Sequence, residues 1–282
     1  MKPGAIGALA AGAVLLLGGW AVADTLEAAR EGEPLRIAIA DEAPYGYVDS
    51  DGEITGEAPE IARRVLERID PAIRTEYVVT NFGDLISGLN GGRFDLVAAG
   101  MYVTPERCER VAFSDPTYVV GEAFAVRAGN PMGLTDFTDV AHNDDAVLAV
   151  MAGAIEYYYA FRAGVPAERV VLYPGPEAAV EALRAGDVDA VALTSLTVRA
   201  ALDALDDPEI EATEQFYPVQ DGEEVRGYGA FAFRQSDERL RDVFNEHLTE
   251  FVGTPEHLTL VEPFGFTEDM IPDVTAEELC NP

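Results

Sequence analysis

The stretch LNGGRFDLVA, residues 89–98, returns in similar form as LRAGDVDAVA, residues 183–192. Each copy combines the end of a helix, a glycine, one loop residue and the strand pattern x-Asp-x-Val-Ala. We expect Gly92 and Gly186 to take the left-handed conformation that ends a helix, since a residue without a Cβ adopts it freely. Coincidence in a sequence rich in Ala, Val and Asp is the alternative. The repeat predicts one helix-turn-strand unit built twice.

Short β-rich runs and amphipathic helical segments alternate around both copies. Around the first copy the pattern predicts strands at 35–40, 76–80 and 94–98, with helices at 58–69 and 84–89. Around the second it predicts strands at 146–151, 169–173 and 188–193, with helices at 155–163 and 177–183. Strands that alternate with helices are typical of βαβ units, so we predict an α/β fold with mixed, mostly parallel sheets flanked by helices.

Two similar segments lie at the borders of the second unit: EAFAVR at 122–127 and GAFAFR at 229–234. They are predicted to be strands that cross between two lobes, and helices at 238–251 and 256–261 would then return to the first lobe. The expected division is lobe 1 at 34–122 plus 230–272, lobe 2 at 123–229, and a C-terminal tail at 273–282.

The N-terminal segment has the features of an export signal. Lys2 precedes an apolar stretch that closes on Ala21-Val22-Ala23. A basic start, an apolar core and an A-x-A site predict a signal peptide at 1–23, cleaved after Ala23. A retained membrane anchor is the alternative. We expect a soluble, exported, periplasmic protein.

The charge balance limits the partners of the chain. It holds 51 Asp and Glu against 19 Lys and Arg, a net charge of −32 at pH 7. Such a surface repels phosphate backbones, so we expect no nucleic acid partner. Lys2 is the only lysine. The acidic bias indicates either a GC-rich genome or a protein that meets high salt, where a hydrated carboxylate surface stays soluble.

The cysteines and histidines offer little chemistry. Cys108 and Cys280 lie far apart, without C-x-x-C spacing or an adjacent histidine, so no metal site is expected. In an oxidising compartment they favour a single disulfide, with two unpaired buried thiols as the alternative. The motifs of serine hydrolases, phosphate-binding loops, dinucleotide-binding folds and zinc proteases are missing. We therefore expect neither a cofactor nor catalysis, and we interpret His142, His247 and His257 as surface or packing residues.

Binding residues follow the predicted strands, where ligands of α/β lobes lie. The Arg107 guanidinium offers a planar fork to a carboxylate, with an ion pair to one of the many acids as the alternative. Gly153 leaves free backbone N–H groups at a strand-to-helix turn. Three aromatic rings could surround a delocalised cation that Glu42 and Glu156 neutralise, namely Tyr45, Phe82 and Tyr102. The set suits a small zwitterion.

Several motifs together carry a family resemblance. The T-P-x-R turn at 104–107, the following FSDPTY at 113–118, the glycine-aspartate repeat and the two crossing strands recur in one class of proteins. The span 34–272 resembles the polar-amino-acid class of periplasmic substrate-binding proteins of ABC importers. Within that class the chain is similar to ectoine- and hydroxyectoine-binding proteins in four segments: 42–45, 55–60, 99–108 and 151–154.

The resemblance implies a two-lobe type II binding fold, and it assigns roles to residues. Arg107 would hold the ectoine carboxylate with help from the backbone at 153–156, and Glu42 would bond the ring N–H groups. The remaining implied ligand-binding residues are the rings of Tyr45, Phe82 and Tyr102, together with Thr104, Glu156 and Thr194. Where ordinary amino-acid binders show G-T-T, this chain has Gly153-Ala154-Ile155, which weakens the generic interpretation.

The implied function is capture of ectoine or hydroxyectoine by a monomer that delivers it to the membrane permease of an ABC importer. One alternative is a polar amino acid as ligand. A second is a cyclohexadienyl-dehydratase-like enzyme on the same fold, which would need an acid of raised pKa in the cleft.

Overall fold

The computed structural model describes residues 24–282, so the predicted signal peptide lies outside the described residues. The strands are β1 Leu35–Ile39, β2 Tyr47–Val48, β3 Ile54–Thr55, β4 Thr75–Val79, β5 Leu96–Tyr102, β6 Ala112–Phe113, β7 Tyr118–Val120, β8 Glu122–Arg127, β9 Leu148–Met151, β10 Val170–Tyr173, β11 Ala190–Thr194, β12 Ile210–Ala212, β13 Val219–Gln220, β14 Glu223–Glu224 and β15 Gly227–Phe233. The helices are α1 Thr25–Arg30, α2 Glu57–Ile69, α3 Leu85–Asn90, α4 Pro105–Cys108, α5 Phe137–His142, α6 Glu156–Ala163, α7 Pro176–Ala185, α8 Ser195–Leu205, α9 Glu238–Phe251, α10 Pro255–Val261 and α11 Ala276–Cys280. Short 3₁₀ turns lie at Phe82–Asp84, Ala167–Arg169, Glu262–Phe264 and Glu268–Met270.

Two sheets repeat one arrangement of strands. The first has the order β4-β1-β5-β15-β6, with β7 also paired to β15, and the second has the order β10-β9-β11-β8-β12. In each, three parallel strands are followed by an antiparallel strand, β15 in the first sheet and β8 in the second. The antiparallel strands are the two segments predicted to cross between lobes. The expectation of mixed sheets in an α/β fold is confirmed, with two parallel pairings in each sheet and the remaining pairings antiparallel.

The repeated sequence makes the same turn in both sheets. Gly92 follows α3 with φ +69°, and Gly186 follows α7 with φ +83°, so both glycines take the left-handed conformation predicted for them. The aspartates that follow also match. Asp95 N–H donates to the Arg36 carbonyl at 2.8 Å, and Asp189 N–H donates to the Val147 carbonyl at 2.8 Å.

The side chains of the two aspartates add a second hydrogen bond to each turn. Asp95 Oδ2 accepts from the Arg36 N–H at 3.1 Å, and Asp189 Oδ2 accepts from the Val147 N–H at 3.0 Å. Each aspartate thereby closes a ring of two hydrogen bonds with the start of the neighbouring parallel strand. Because only a short acceptor side chain can do this, the physical reason for Asp in x-Asp-x-Val-Ala is strand registration.

An arginine from the antiparallel strand meets each aspartate. Arg234, just after β15, lies 2.9 Å from Asp95, and Arg127, the last residue of β8, lies 3.8 Å from Asp189. Burial raises the pKa of Asp95, but hydrogen bonds from Arg36 and Arg234 outweigh it and lower that pKa below its ordinary value. The final arginines of EAFAVR and GAFAFR are therefore equivalent parts of one repeated unit.

The helices pack apolar faces against these sheets. The α2 helix, predicted from its apolar spacing, buries Ile61, Val65 and Leu66 in the core of the first sheet. The α9 helix buries Leu240, Phe244, Leu248 and Phe251 against the same core. The helices α1, α4, α5, α8 and α11 were not predicted from the sequence. Of these, α4 and α8 bear on function, because α4 carries Arg107 and α8 begins directly after β11.

A disulfide joins Cys108 at the end of α4 to Cys280 at the end of α11, 172 residues later. The bond holds the C-terminal helix against the turn that carries Arg107. Within residues 24–282, no helix combines the length and apolar character that crossing a membrane would require.

The hydrogen bonds and ion pairs of Asp95 lead to a prediction about stability. Asp95→Asn keeps the shape but takes the charged partner from Arg36 and leaves Arg234 with Asp237 alone. We expect the free energy of unfolding to fall by about 1–3 kcal/mol, because a buried carboxylate that accepts hydrogen bonds from two arginines is replaced by a neutral amide. Urea unfolding at pH 7 measures this. Asp187→Asn, an exposed aspartate beside the second copy of the turn, is the control and should change little; equal losses for both variants would contradict the account.

Candidate ligand-binding site

A cavity lies between the two sheets, where β1, β5, β9 and β11 end. The cavity is narrow, with about 20 Å³ of room for the centre of a water molecule. Residues from both sheets contribute to its wall: Glu42, Tyr45, Phe82, Gly100, Tyr102, Arg107, Met151, Ala154, Ile155, Glu156 and Thr194. Seven of the nine residues predicted for ligand binding are thus brought together. Thr104 and Gly153 do not line the cavity, and both contact Arg107 instead.

Arg107 stands at the junction of the two sheets. Its Nη1 donates to the Tyr102 carbonyl at 2.9 Å, and its Nη2 donates to the Gly153 carbonyl at 3.2 Å. The guanidinium carbon lies 5.5 Å from the centre of the Phe82 ring, a cation–π distance. Burial lowers the pKa of Arg107 from its ordinary value, and the guanidinium remains a cation at neutral pH.

Thr104 and Gly153 act on Arg107 instead of lining the wall. The Thr104 hydroxyl caps α4 by accepting from the Arg107 N–H at 3.2 Å, which fixes the short helix that carries the guanidinium. Gly153 has φ +84°, and a Cβ there would stand 2.5 Å from the Gly83 Cα across the cleft. A glycine is therefore required where the two sides approach.

A hydrogen-bond relay crosses the cleft. The Tyr45 hydroxyl donates to Thr194 Oγ1 at 2.8 Å, Thr194 Oγ1 donates to Thr197 Oγ1 at 3.0 Å, and Thr197 Oγ1 donates to Glu42 Oε1 at 2.8 Å. All four side chains are buried. The relay begins and ends on the first sheet's side and runs through α8 of the second, so it holds the cleft closed and orients the Glu42 carboxyl.

Burial shifts both acids of the site toward their neutral form. Burial raises the pKa of Glu42 to about 8, the Thr197 hydrogen bond opposes this rise, and the charge of Glu156 adds to it. Burial also raises the pKa of Glu156 to about 7, against a backbone hydrogen bond and the attraction of Arg107. A cationic group entering the cavity would restore the charged carboxylates, so these acids favour a positively charged ligand.

Aromatic rings supply most of the remaining wall. Tyr45 stacks on Tyr118 at 5.1 Å between centroids. Tyr102 packs against Gly227 of β15, where a Cβ would stand 2.0 Å from the ring. The Tyr102 hydroxyl is buried and makes no hydrogen bond within residues 24–282. It is therefore a free polar group at the cavity wall.

Sequence reasoning missed several contributors. The lining also includes small or apolar residues that carry no chemical signal, namely Gly100, Met151, Ala154 and Ile155. Thr197 was also missed, although Thr194-Ser195-Leu196-Thr197 after a strand has the i, i+3 spacing of a helix N-cap. That spacing could have revealed α8 and the partner of Thr194.

The comparison with known proteins shows which family the chain belongs to. Residues 35–266 match the model of the bacterial extracellular solute-binding proteins, family 3. The chain belongs to this family. It is 39% identical over 288 residues to a probable amino-acid ABC transporter periplasmic-binding protein of Sinorhizobium fredii, covering 100% of this chain and 94% of the relative. It is 25% identical to the lysine/arginine/ornithine-binding periplasmic protein of Escherichia coli, covering 74% of this chain and 78% of the relative.

A solved structure gives the three-dimensional comparison. The crystal structure of EhuB in complex with hydroxyectoine matches with a TM-score of 0.83 and 35% identity, covering 90% of this chain and 97% of that chain. The family 3 protein described here therefore has the two-lobe type II periplasmic binding fold. It is a solute-binding protein of an ABC importer with a small-molecule ligand, acting outside the cytoplasm. Its family and these relatives are binding proteins. They therefore do not support the enzyme alternative that an acid of raised pKa in the cleft would favour.

The relay leads to a prediction about the closed cleft. Thr197→Val keeps the volume but leaves the Thr194 hydroxyl and the Glu42 carboxyl without their shared partner. We expect a loss of about 1–3 kcal/mol in the free energy of unfolding, the cost of unpaired buried polar groups. Thr197→Ser keeps the hydroxyl and should lose clearly less. If urea unfolding finds Thr197→Val as stable as wild type, the relay does not stabilise the cleft.

Proposed function

We propose that this solute-binding protein captures ectoine or hydroxyectoine in the cleft and delivers it to its importer. The observation that carries the proposal is the single cavity in which Arg107, Glu42 and the rings of Tyr45, Phe82 and Tyr102 all take part. Such a wall offers a cation for a carboxylate, an acid for a positive ring and flat surfaces for that ring.

The carboxylate of the ligand would bind Arg107. The guanidinium is held by two carbonyl oxygens, which fix its plane without neutralising its charge. A planar guanidinium in a closed site binds a carboxylate through two parallel hydrogen bonds. Thr104 would contribute by fixing α4, and Gly153 by accepting from the guanidinium.

The cationic ring would lie between the aromatic side chains and Glu42. Ectoine carries its positive charge across two ring nitrogens, and a delocalised cation is favoured by flat contact with aromatic faces. The raised pKa of Glu42 has burial as its main cause, so an approaching cation would convert that carboxyl to its charged, accepting form. Glu156 and Thr194 would complete the contacts from the second sheet.

The relatives support two ligand classes. The neighbour EhuB was crystallised with hydroxyectoine, and its fold and sequence are similar over most of both chains. The relative from Sinorhizobium fredii bears the description of a probable amino-acid-binding protein, which favours a polar amino acid as the second candidate. Ala154 and Ile155 follow Gly153 here, so the hydroxyl that a G-T-T segment would offer to an α-amino acid is absent.

The proposal also covers the export of the protein, its oligomeric state and its division into lobes. Residues 1–23 would be removed after Ala23, and the mature chain would act in the periplasm as a monomer without nucleic acid. Residues 34–122 with 230–272 would move as one lobe against 123–229, with 273–282 as a tail. Ectoine is a compatible solute gathered under osmotic stress, so the net charge of −32 is concordant with this ligand.

A binding panel tests the ligand. We expect ectoine and hydroxyectoine to bind with micromolar or lower Kd, and glutamate, glutamine, arginine and histidine at least about a hundredfold more weakly, roughly 2.7 kcal/mol. Thermal shift should give the same ranking, because a ligand that binds only the folded state stabilises it. A common amino acid that raises Tm more than ectoine would overturn the ligand while leaving the family intact.

A substitution tests the role of Arg107. Arg107→Ala should weaken hydroxyectoine binding by about a hundredfold or more, since it removes the charged partner of the ligand carboxylate from a closed site. Arg110→Ala, an exposed arginine three residues away, is the matched control and should bind as wild type. Calorimetry that finds less than about a tenfold change for Arg107→Ala contradicts the role.

A further inference from the structure

The loop after β1, which carries Tyr45, rests on the first residues of α2. The Glu57 N–H donates to the Pro44 carbonyl at 3.0 Å, and the Ala58 N–H donates to the Tyr45 carbonyl at 2.9 Å. The first N–H groups of a helix have no partner inside the helix, so the loop supplies two of them. Gly56 has φ +124°, and a Cβ there would stand 2.7 Å from the Tyr45 carbonyl oxygen. The place of the loop therefore depends on the place of the helix start.

The side chain of Glu57 has no part in the site described so far. It is 1% exposed, and its Oε1 accepts from the Thr117 hydroxyl at 2.6 Å. Its Oε2 receives no hydrogen bond from a donor within residues 24–282. Burial raises the pKa of Glu57 to about 8, and the Thr117 hydrogen bond opposes this rise. At neutral pH the side chain is thus a buried, uncharged carboxyl that Thr117 holds in place.

Thr117 belongs to the segment that supports the Tyr45 ring. The Thr117 N–H donates to the Gly229 carbonyl of β15 at 2.9 Å, which fixes this segment to the first sheet. The next residue, Tyr118, stacks on Tyr45 with 5.1 Å between ring centroids. Glu57 therefore links the helix that holds the Tyr45 backbone to the strand that holds the Tyr45 ring.

Tyr45 acts at two places in the cleft. Its ring lines the cavity, and its hydroxyl donates to Thr194 Oγ1 at 2.8 Å. The ring is tightly enclosed, since Tyr45 is 1% exposed and a Cβ on Gly100 would stand 2.6 Å from the ring. A shift of the ring therefore changes both the cavity wall and the hydrogen bond across the cleft.

We propose that Glu57 is a positioning residue for ligand capture, whose hydrogen bond to Thr117 fixes the aromatic wall at Tyr45. The proposal rests on the proposed function, since it assumes a ligand that contacts the Tyr45 ring. Glu57 lies outside the cavity wall and acts through Tyr45. When the bond is cut, the start of α2 and the start of β7 can shift relative to one another. Affinity then falls although no ligand contact has been removed.

A double-mutant cycle on affinity tests this role. Hydroxyectoine binding is measured by calorimetry for wild type, Glu57→Leu, Thr117→Val and the double variant, at a temperature at which each is folded. We expect each single change to weaken binding at least about fivefold. The double variant should bind no more weakly than the weaker single variant, because both changes cut the same hydrogen bond. Wild-type affinity in either single variant, or losses that simply multiply, would overturn the proposal.

Two further variants separate positioning from stability. Glu57→Gln keeps an oxygen that accepts from Thr117, so it should bind hydroxyectoine within about twofold of wild type. Glu67→Leu makes the leucine substitution at an exposed position later in α2 and should bind as wild type. A purely structural role predicts a lower Tm for Glu57→Leu with unchanged affinity of the folded protein. If Glu57→Leu fails to fold, Thr117→Val cuts the same bond and must weaken binding by itself.

Amide hydrogen exchange gives a measurement without ligand. Thr117→Val should speed the exchange of the Glu57 and Ala58 N–H groups at least about fivefold, because local opening frees the groups that hold the Tyr45 loop. The N–H of Leu66, later in the same helix, is the reference and should exchange as in wild type. Unchanged exchange at Glu57 and Ala58 would contradict the anchor.

The two measurements separate two failures. If hydroxyectoine binds none of the proteins but exchange at the start of α2 is faster in Thr117→Val, the proposed ligand is wrong and the anchor of the Tyr45 loop stands. If hydroxyectoine binds all of them equally and exchange is unchanged, the positioning role is wrong and the proposed function stands.

Discussion

The guanidinium of Arg107 bridges the two halves of the molecule, and most of the cleft can be understood from that bridge. One nitrogen binds the carbonyl of Tyr102, at the end of β5, and another binds the carbonyl of Gly153, just after β9. A buried cation must be compensated, because transfer of an isolated charge from water is expensive. Glu156 approaches from the second sheet, and its charge lowers this cost.

A second constraint is the repeated aspartate turn, which builds the frame around that bridge. Asp95 and Asp189 bind the starts of β1 and β9 through backbone and side chain, which fixes the register of each pair of neighbouring parallel strands. Residues just past these strand ends form the cavity. The same turn, used twice, accompanies two loop clusters that line one cavity, and the chain passes from one sheet to the other just before β8 and again before β15.

Much of this architecture follows from local sequence. The Gly92 and Gly186 turns, the β8 segment 122–127 and the α9 segment 238–251 are set by glycine conformation and apolar periodicity, so they could be predicted. The cavity residues that directly follow strands could be predicted because ligands of α/β lobes lie at the ends of the strands. Their ligand roles stay predictions, as does the division into lobes.

Contacts across the cleft could not be predicted. Thr197 meets Glu42 from 155 residues away, and the encounter depends on how two sheets close, which no local pattern records. Thr104 was assigned to ligand contact, but its hydroxyl caps α4, a role that its position before Pro105 also fits.

The central claim is that one cleft binds a carboxylate at Arg107 and a delocalised cation at Glu42. A crystal structure of the protein with hydroxyectoine tests it most directly. The account predicts the ligand carboxylate within about 3 Å of the Arg107 guanidinium and the ring nitrogens at the same distance from Glu42, with the ring between Tyr45, Phe82 and Tyr102. A ligand bound in the reverse orientation, or one that leaves Arg107 on its two carbonyls without contact, would contradict it.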